Sequence, residues 1–446
     1  MKLGAVRAWL RALRAPKRPA PGKMTPADEA MLDTLQHAAF DYFLAATNPR
    51  NGLVADTTRA GSPSSIAVVG FALSAYPVAV ERGWISRVQA VERCLAALRF
   101  FADSDQTGTA GSTGHRGFYF HFLDMDSGLR AWASELSSID TALLIAGALT
   151  AATHFDADTP DEAELRALAD ALYRRVDWRW AQRKDGALSQ GWKPECGFLH
   201  YGWDGYDEAV LLYALALGSP THPPSDAAFE SWTLTYQWEN QYGHDVLYAG
   251  PLFTHQFSHA WIDFRGIRDR FMREKDCDYF ENSRRATCVQ REYAIRNPRS
   301  FVGYGEDCWG LSAGDGPSAP PQRVAGRLQS FYGYTARGVP FGPDDGTIAG
   351  PSILASLAFA PEIVLPVLRS LQTRGPGGDA AAVRASGFNA TTAPQGWISV
   401  GEFGLDQGLS VLMIENFRTG LPWRLGRRNP YIRAGLRRAG FKGSWL

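Results

Sequence analysis

The 446-residue sequence has few cysteines and no long apolar runs, and both absences limit its class. Five cysteines without a CxxC pair predict neither a disulfide framework nor a zinc ribbon. No run of about 18 apolar residues occurs, so no membrane-spanning helix is expected. The first 23 residues are interrupted by arginine or lysine and lack the apolar core of a secretory signal peptide. This start favours a cytoplasmic protein, with a periplasmic location as the alternative.

Acidic residues are absent from both ends of the chain. Residues 1–23 contain seven lysines and arginines, and residues 418–446 contain eight. Because the formal net charge is zero, residues 24–417 carry a charge of −15. An acidic body repels phosphate backbones, which argues against nucleic acid as a partner. We expect a basic, proline-rich arm over residues 1–26 and a basic tail over residues 426–446.

Helical patterns dominate the rest of the chain, and alternating β patterns are scarce. The segments SSIAVVGFALSAY (64–76) and YDEAVLLYALALG (206–218) are apolar nearly all round, which is typical of helices buried on every side. By contrast, DEAELRALADALYRRV (161–176) is amphipathic. Two concentric rings require both kinds of helix, so we predict an all-α fold in which residues 27–425 form an (α/α)6 barrel with long loops rich in glycine and aromatic residues. A non-barrel helical bundle is the alternative. Helices are expected near residues 27–46, 64–80, 86–103, 137–154, 160–178, 204–217, 225–240, 255–273, 276–295, 351–373 and 406–417.

Acidic residues stand where several of the apolar helices begin. Glu135 and Asp140 lie in SELSSIDTALL, and Glu208 lies in WDGYDEAVLLY. Helix starts that converge at one end of a barrel would gather these carboxyl groups around a cavity. Capping of a helix is the alternative for Asp140, because Ser137 stands three residues before it. Glu208 follows the start of an apolar face, so burial should raise its pKa towards that of a general acid.

A second acidic stretch, GEFGLDQG (401–408), places Glu402 and Asp406 among glycines that would allow close approach to a ligand. Glycoside hydrolysis requires two carboxyl groups, one acting as an acid and one as a base or nucleophile. Aromatic residues make up 12% of the chain, with 14 tryptophans, and many stand in loops beside these acids. Exposed indole rings stack well on sugars, while packing of long loops is the alternative.

The segment PLFTHQFSHAWIDFRG (251–266) spaces His255, His259 and Asp263 four residues apart, which would put them on one helix face. Zinc binding, lining of a polar pocket and a hydrogen-bonded structural face are all compatible with this spacing. Gln256 stands where a zinc protease would have glutamate. The sequence has no Walker lysine loop and no dinucleotide fingerprint after a strand, so nucleotide chemistry is not expected.

Ten ordered segments between about residues 35 and 425 resemble the glycoamylase-like family, which includes bacterial endo-β-1,2-glucanases. Among them are SPSSIAVVGFALSA, GFYFHFLDMDSG, SELSSIDTALLIAGAL, PLFTHQFSHAWIDFRG, WGLSAGDGP and LDQGLSVLMIENFRTG. The resemblance implies an (α/α)6 barrel and an inverting endo-β-1,2-glucanase that uses neither a cofactor nor a metal. A related branch serves as the transglycosylase domain of cyclic β-1,2-glucan synthases. Transglycosylation, another glucan linkage or carbohydrate binding without catalysis remain alternatives.

The same resemblance implies roles for individual residues. The acidic motifs supply the expected catalytic residues, which are Glu208 as the acid together with Glu135, Asp140 and Asp406. The other motifs imply contacts with a glucan substrate for Trp192, Tyr206, His255, Gln256, His259, Trp261, Asp263, Arg265, Trp309 and Asp345. Tyr119 and His121 in the aromatic segment 117–122, and Glu402 in the segment 401–408, are expected to contact the substrate as well.

Overall fold

The structure, a computed structural model, describes residues 24–374, 381–392 and 396–446. The expected basic arm therefore lies, up to residue 23, outside the described residues. The helices are α1 Pro26–Ala45, α2 Ile66–Glu81, α3 Arg87–Asp103, α4 Ser138–His154, α5 Pro160–Arg175, α6 Val210–Gly218, α7 Ala228–Thr233, α8 Arg270–Glu274, α9 Tyr279–Arg296, α10 Gly350–Ala355, α11 Pro361–Arg374, α12 Ala381–Arg384, α13 Gly404–Arg418, α14 Leu421–Arg428 and α15 Pro430–Arg438.

The strands are short. They are β1 Ser64–Ser65, β2 Gly114–His115, β3 Phe118–Phe120, β4 Phe122–Leu123, β5 Leu136–Ser137, β6 Gly191–Lys193, β7 Gly197–Phe198, β8 Trp238–Gln241, β9 His244–Leu247, β10 Ile267–Arg268, β11 Ala313–Gly314, β12 Gln322–Val324, β13 Arg327–Gln329, β14 Thr335–Ala336, β15 Phe388–Asn389, β16 Trp397–Ile398 and β17 Lys442–Gly443. Within the described ranges they form two-stranded ribbons and one open five-stranded sheet of order β2-β3-β5-β6-β7, all antiparallel. The expected predominantly helical fold is confirmed.

An inner row of buried helices forms the centre of the molecule. Helices α10, α13, α2, α4 and α6 pack on one another in that order. The backbones of α2 and α4 approach so closely that a β-carbon on Gly147 would lie 2.0 Å from the carbonyl oxygen of Gly70. Only glycine allows this approach, and the resulting contact buries nearly every side chain of both helices.

Outer helices cover this row. Helices α3 and α5 are amphipathic, pack against each other, and contact α2 and α4 respectively through their apolar faces. Ser86 and Thr159 cap their N-termini by accepting hydrogen bonds from the backbone N–H groups of Gln89 and Glu162. The contrast between all-round apolar and amphipathic segments in the sequence therefore corresponds to two layers.

Short strands lead directly into two inner helices, β1 into α2 and β5 into α4. The N–H of Ile66 donates to the carbonyl of His121 at 3.2 Å, and the N–H of His121 donates to the carbonyl of Glu135 at 2.8 Å. These bonds tie the starts of both helices to the segment between β3 and β4. Side chains at the two helix starts consequently face a common region.

Several predicted helices differ from the structure. The helix expected over residues 255–273 is wrong, because the segment forms two 3-10 turns, Leu252–His255 and Ser258–Ala260, then a loop, β10 and the short α8. The segment 351–373 divides into α10 and α11, and Pro361 begins the second helix. The segment 225–240 ends as a helix at Thr233 and continues into β8.

The expected basic tail is also wrong, because residues 426–446 belong largely to the end of α14, to α15 and to β17. Helix α15 packs so tightly on α6 that a β-carbon on Gly435 would lie 1.7 Å from the carbonyl oxygen of Ala214. Its basic residues pair with the acidic body, as Arg438 does with Asp226. Close packing on α6 thus holds this segment, with surface ion pairs at its edge. No described helix is both long and apolar enough to cross a membrane.

Candidate active site

Four carboxyl groups gather where the inner helices begin. Asp140 and Asp406 lie in the first turns of α4 and α13, Glu208 stands two residues before α6, and Asp56 lies in the loop after α1. Their charges act on one another, because Asp140 raises the pKa values of Asp56 and Glu208, and Asp56 raises that of Asp406. Helix starts distant in sequence therefore build one acidic cluster.

Backbone hydrogen bonds fix two members of this acidic cluster. The N–H of Asp56 donates to Pro63 at 2.7 Å, and its carbonyl accepts from the N–H of Gly404 at 2.8 Å, at the start of α13. The carbonyl of Glu208 accepts a 2.6 Å hydrogen bond from the hydroxyl of Ser258, which also accepts from the N–H of Leu211 at 3.0 Å. Both acids are thus attached to the ends of inner helices.

Burial gives three of these acids high proton affinity. Desolvation, with a smaller effect of the Asp140 charge, raises the pKa of Glu208 from 4.5 to about 7. Desolvation also raises the pKa of Asp406 to about 7 and that of Asp56 to about 6. Glu208 therefore holds its proton much of the time near neutral pH, which a proton donor needs. Asp207 beside it has a raised pKa from burial and from the charge of Glu208.

His121 places a positive charge among the acids. Its Nδ1 lies 3.0 Å from Oε1 of Glu135, and its Nε2 lies 3.6 Å from Oδ2 of Asp140. Burial lowers the pKa of His121, but the charges of Asp140, Glu135 and Asp56 outweigh this effect and raise the pKa to about 9. Burial likewise opposes the ionised form of Glu135, but the hydrogen bond and charge of His121 lower its pKa overall. At neutral pH the pair is an imidazolium and a carboxylate.

Within the described ranges, His121, Glu135 and Asp140 form a group whose donor atoms could surround a metal ion. Donor atoms of His121, Glu135 and Asp140 lie within 4.8 Å of one another. An imidazole must be neutral to ligate a metal. Since His121 is protonated below about pH 9, a metal would have to displace its proton, and the three groups satisfy one another as an ion-pair cluster.

Aromatic rings border the acidic cluster. Tyr334 is 61% exposed, and its ring stacks at 6.2 Å on that of Phe403, which directly precedes α13. The hydroxyl of Tyr42 donates to the carbonyl of Ala55 at 2.5 Å, directly before Asp56. An exposed tyrosine and a buried one therefore lie beside the acidic cluster.

The structure brings together five predicted side chains that lie at or before the starts of α4, α6 and α13. These are His121, Glu135, Asp140, Glu208 and Asp406. For Asp140, the helix-capping alternative also holds, because its N–H donates to the hydroxyl of Ser137 at 3.2 Å and that hydroxyl donates back to its carboxylate. Glu402 lies at the edge of this group. Desolvation has the largest effect in raising the pKa of Tyr42, and the charges of Asp56, Glu402 and Asp406 add to it, so all three acids lie near the same tyrosine.

Three predicted sugar contacts are core side chains, and this part of the prediction is wrong. Tyr119, Trp261 and Trp309 are each at most 1% exposed. The hydroxyl of Tyr119 donates to the carbonyl of Phe101 at 3.2 Å, and the indole N–H of Trp261 donates to Ser74 at 2.8 Å. Their rings fill the space between helices, so a ligand does not reach them.

The predicted polar face of residues 255–263 does not exist, because 3-10 turns replace the helix. His255 and His259 are buried, and desolvation lowers their pKa values to about 4 and about 3, so both are neutral. Nε2 of His255 bonds to the carbonyl of Ala249 at 3.1 Å, while Nε2 of His259 bonds to the hydroxyl of Ser283 at 3.0 Å. They therefore have different partners and share no ligand.

Gln256, Asp263 and Asp345 are buried, and together with the exposed Arg265 they are held by contacts within the protein. The amide of Gln256 donates to the carbonyl of Ser352 at 2.7 Å. Both oxygens of Asp263 accept from Arg265 at 2.7 Å. Fully buried Asp345 accepts from two nitrogens of a buried arginine at 2.7 and 2.9 Å. Structural ion pairs and packing account for these four residues.

Trp192 and Tyr206 remain partly exposed. The ring of Trp192 stacks on His115 at 5.6 Å, and that of Tyr206 lies 5.1 Å from His255 and 5.8 Å from Tyr279. Sequence reasoning missed Asp56 and Tyr334. Asp56 stands in VADTTRAG, which has no helix start and no aromatic neighbour in sequence. Contacts of this loop with the segments that lead into α2 and α13 bring it to the acids.

A partly buried proton donor with neighbouring carboxylates on a helical scaffold is an arrangement suited to acid–base catalysis. A family model described as "Glycoamylase: Putative glucoamylase" matches residues 200–430. The chain belongs to this glycoamylase family.

Individual relatives agree with this assignment. The chain is 28% identical to an exo beta-1,2-glucooligosaccharide sophorohydrolase (non-reducing end) of Parabacteroides distasonis, over 92% of the chain but only 58% of that longer relative. The solved structure of a "putative glucoamylase" from Bacteroides uniformis has a TM-score of 0.83 at 28% identity, covering 95% of this chain and all of that one. An endo-beta-1,2-glucanase from Chitinophaga pinensis, solved with sophorotriose and glucose, has a TM-score of 0.79 at 25% identity, covering 94% and 99%.

Proposed function

We propose that this protein is a glycoside hydrolase that cleaves β-1,2-glucan, built on an (α/α)6 barrel that includes α14 and α15. The observation that carries the proposal is the partly buried Glu208, whose pKa of about 7 suits proton donation at neutral pH. The relatives named for action on β-1,2-glucans support the choice of substrate.

The proposed mechanism uses two of these acids as the acid and the base. Glu208 donates its proton to the glycosidic oxygen as the bond breaks, and Asp406 takes a proton from the attacking water, which gives an inverted product. A base with a pKa near the working pH accepts a proton more readily than an ordinary carboxylate. Glu135 is held ionised by His121, so we assign it no proton transfer in this mechanism.

Internal cleavage of the glucan chain is our first choice, and release of disaccharides from a chain end is the second. The name of the Parabacteroides relative favours the second mode, while that of the Chitinophaga enzyme favours the first. Early products distinguish them, because internal cleavage yields a mixture of oligosaccharides, whereas an exo enzyme yields disaccharide from the first turnovers. Products longer than the substrate would instead indicate transglycosylation.

The proposal is tested by incubating purified protein with linear β-1,2-glucan and separating the products by chromatography. Wild type should release short oligosaccharides, and Glu208→Gln should release none. Glu230→Gln is a matched control, because Glu230 is exposed and its 3.5 Å ion pair with Arg270 lies at the surface. Equal turnover by wild type and Glu208→Gln would contradict the assignment of the acid. Binding of glucan without turnover by wild type would contradict hydrolysis.

A further inference from the structure

Trp132 is presented to solvent by a loop with an unfavourable backbone. The side chain is 68% exposed, although tryptophan is among the most apolar residues. Trp132 and Ala133 have φ angles of 55° and 49°, so two consecutive residues with a β-carbon adopt the left-handed conformation. A turn selected only for connection would place glycine here.

Buried and charged donors hold this loop in place. The side chain of Arg130 is 2% exposed, donates from Nε to the carbonyl of Ser134 at 2.6 Å, and donates from Nη2 to that of Ala133 at 2.9 Å. Nζ of Lys193 donates to the same Ala133 carbonyl at 3.0 Å, and Glu195 accepts from Arg130 at 3.0 Å. The loop is therefore fixed before any ligand arrives.

A series of rings connects Trp132 to the acidic cluster. The ring of Trp132 lies 5.0 Å from that of Phe122, with the planes tilted by 55°. The ring of Phe122 stacks on His121 at 4.0 Å and 13°. Nδ1 of His121 in turn lies 3.0 Å from Glu135. Trp132 thus stands two rings away from the acids, with most of its own surface free.

We propose that Trp132 is a stacking platform for a sugar ring of the bound glucan, next to the unit that is cleaved. This inference rests on the proposed function and adds a residue that determines how strongly longer chains bind. An indole face suits the C–H face of a pyranose ring, and a preformed platform costs little entropy on binding. The fold tolerates the left-handed backbone because Arg130 and Lys193 satisfy the carbonyls that the loop exposes.

The test compares Trp132→Ala, Trp132→Phe and Trp132→Gly with wild type on β-1,2-glucan and on its short oligosaccharides. Trp132→Ala should raise KM for the polymer about tenfold, as expected for the loss of one aromatic contact, while kcat stays within about twofold. Phe should restore most of the affinity, and oligosaccharides too short to reach the platform should be unaffected. Leu129→Ala, an exposed apolar residue of the same segment, is the matched control.

Trp132→Gly separates binding from structure. Glycine accepts the positive φ angle without strain, so its thermal midpoint should equal or exceed that of wild type while KM rises as for Ala. A lowered midpoint with unchanged KM would overturn the proposal and make Trp132 a packing residue. An unchanged KM in Trp132→Ala with an active wild type would overturn this inference alone. A wild type that does not cleave the glucan would overturn the proposed function and this inference with it.

Discussion

Replacing Glu208 by glutamine should stabilise the protein at high pH while removing its proposed proton donor. Desolvation, together with the nearby charge of Asp140, raises the pKa of Glu208 from 4.5 to about 7. One pKa unit corresponds to about 1.4 kcal/mol. Ionising Glu208 in the folded protein therefore costs about 3 kcal/mol more than in the unfolded chain. Glutamine has nearly the same shape and no charge to desolvate.

The sign of the pH dependence follows from proton uptake. Between pH 4.5 and about 7 the folded protein retains a proton on Glu208 that the unfolded chain has lost. Wild type therefore loses this stability as the pH rises through that window and loses no more above it. The free energy of unfolding of Glu208→Gln, measured relative to wild type, should rise by about 3 kcal/mol between pH 4.5 and pH 8.

Urea unfolding of both proteins at a series of pH values measures this difference. Glu135→Gln provides a contrast of opposite sign within the same site. Burial raises the pKa of Glu135, but the opposite effect of His121 is larger, so the pKa is lowered overall. The carboxylate therefore stabilises the folded protein at neutral pH, and this contribution is lost on acidification. Glu135→Gln should therefore be destabilising at pH 7 and less so in acid. Parallel stability curves for wild type and Glu208→Gln would refute the burial argument.

Three further predictions concern other contacts. Asp56→Asn removes a like charge that adds to the effect of burial on Asp406, so the pKa of Asp406 should fall and the acidic limb of the kcat/KM profile should move to lower pH. Gly147→Ala places a β-carbon 2.0 Å from the carbonyl oxygen of Gly70, and thermal unfolding should show a loss of about 1–3 kcal/mol or more. Arg337→Met leaves its buried carboxylate partner unpaired and should cost about 3–5 kcal/mol in urea unfolding.

Sequence periodicity predicted the inner helices because their burial extends around the whole helix. Helices α2, α4 and α13 begin and end within about two residues of the predicted limits. Sequence periodicity failed over residues 255–273, because the buried side chains there have the same spacing as those on one face of a helix. Here the backbone instead turns to bring Ser258 to the start of α6, and this contact between distant segments has no local signal.

The candidate site divides in the same way. Glu208 and Asp406 could be predicted because each stands at the start of an apolar helix, where burial of an acid is unusual. Asp56 could not be, since its loop is held beside the acids by backbone hydrogen bonds with Gly404 and Glu402, which are distant in sequence and leave no local signal. Most of the wrongly predicted sugar contacts are residues of family motifs whose side chains are buried in the protein interior. Motif membership alone does not distinguish a residue that binds substrate from one that supports the fold.

The acidic cluster is stable because the scaffold offsets part of its repulsion. Helix N-termini carry partial positive charge, and Asp140 and Asp406 occupy first turns where this charge favours a carboxylate. Yet the pKa of Asp406 is raised, so desolvation exceeds the helix effect at that position. His121 supplies a positive charge in the site. Burial lowers its pKa, but the negative charges of Asp140, Glu135 and Asp56 raise the pKa to about 9 and keep the imidazole protonated at neutral pH. The fold therefore keeps one side of the cluster ionised around His121, while burial leaves Glu208 and Asp406, both with a pKa of about 7, able to exchange protons near neutral pH.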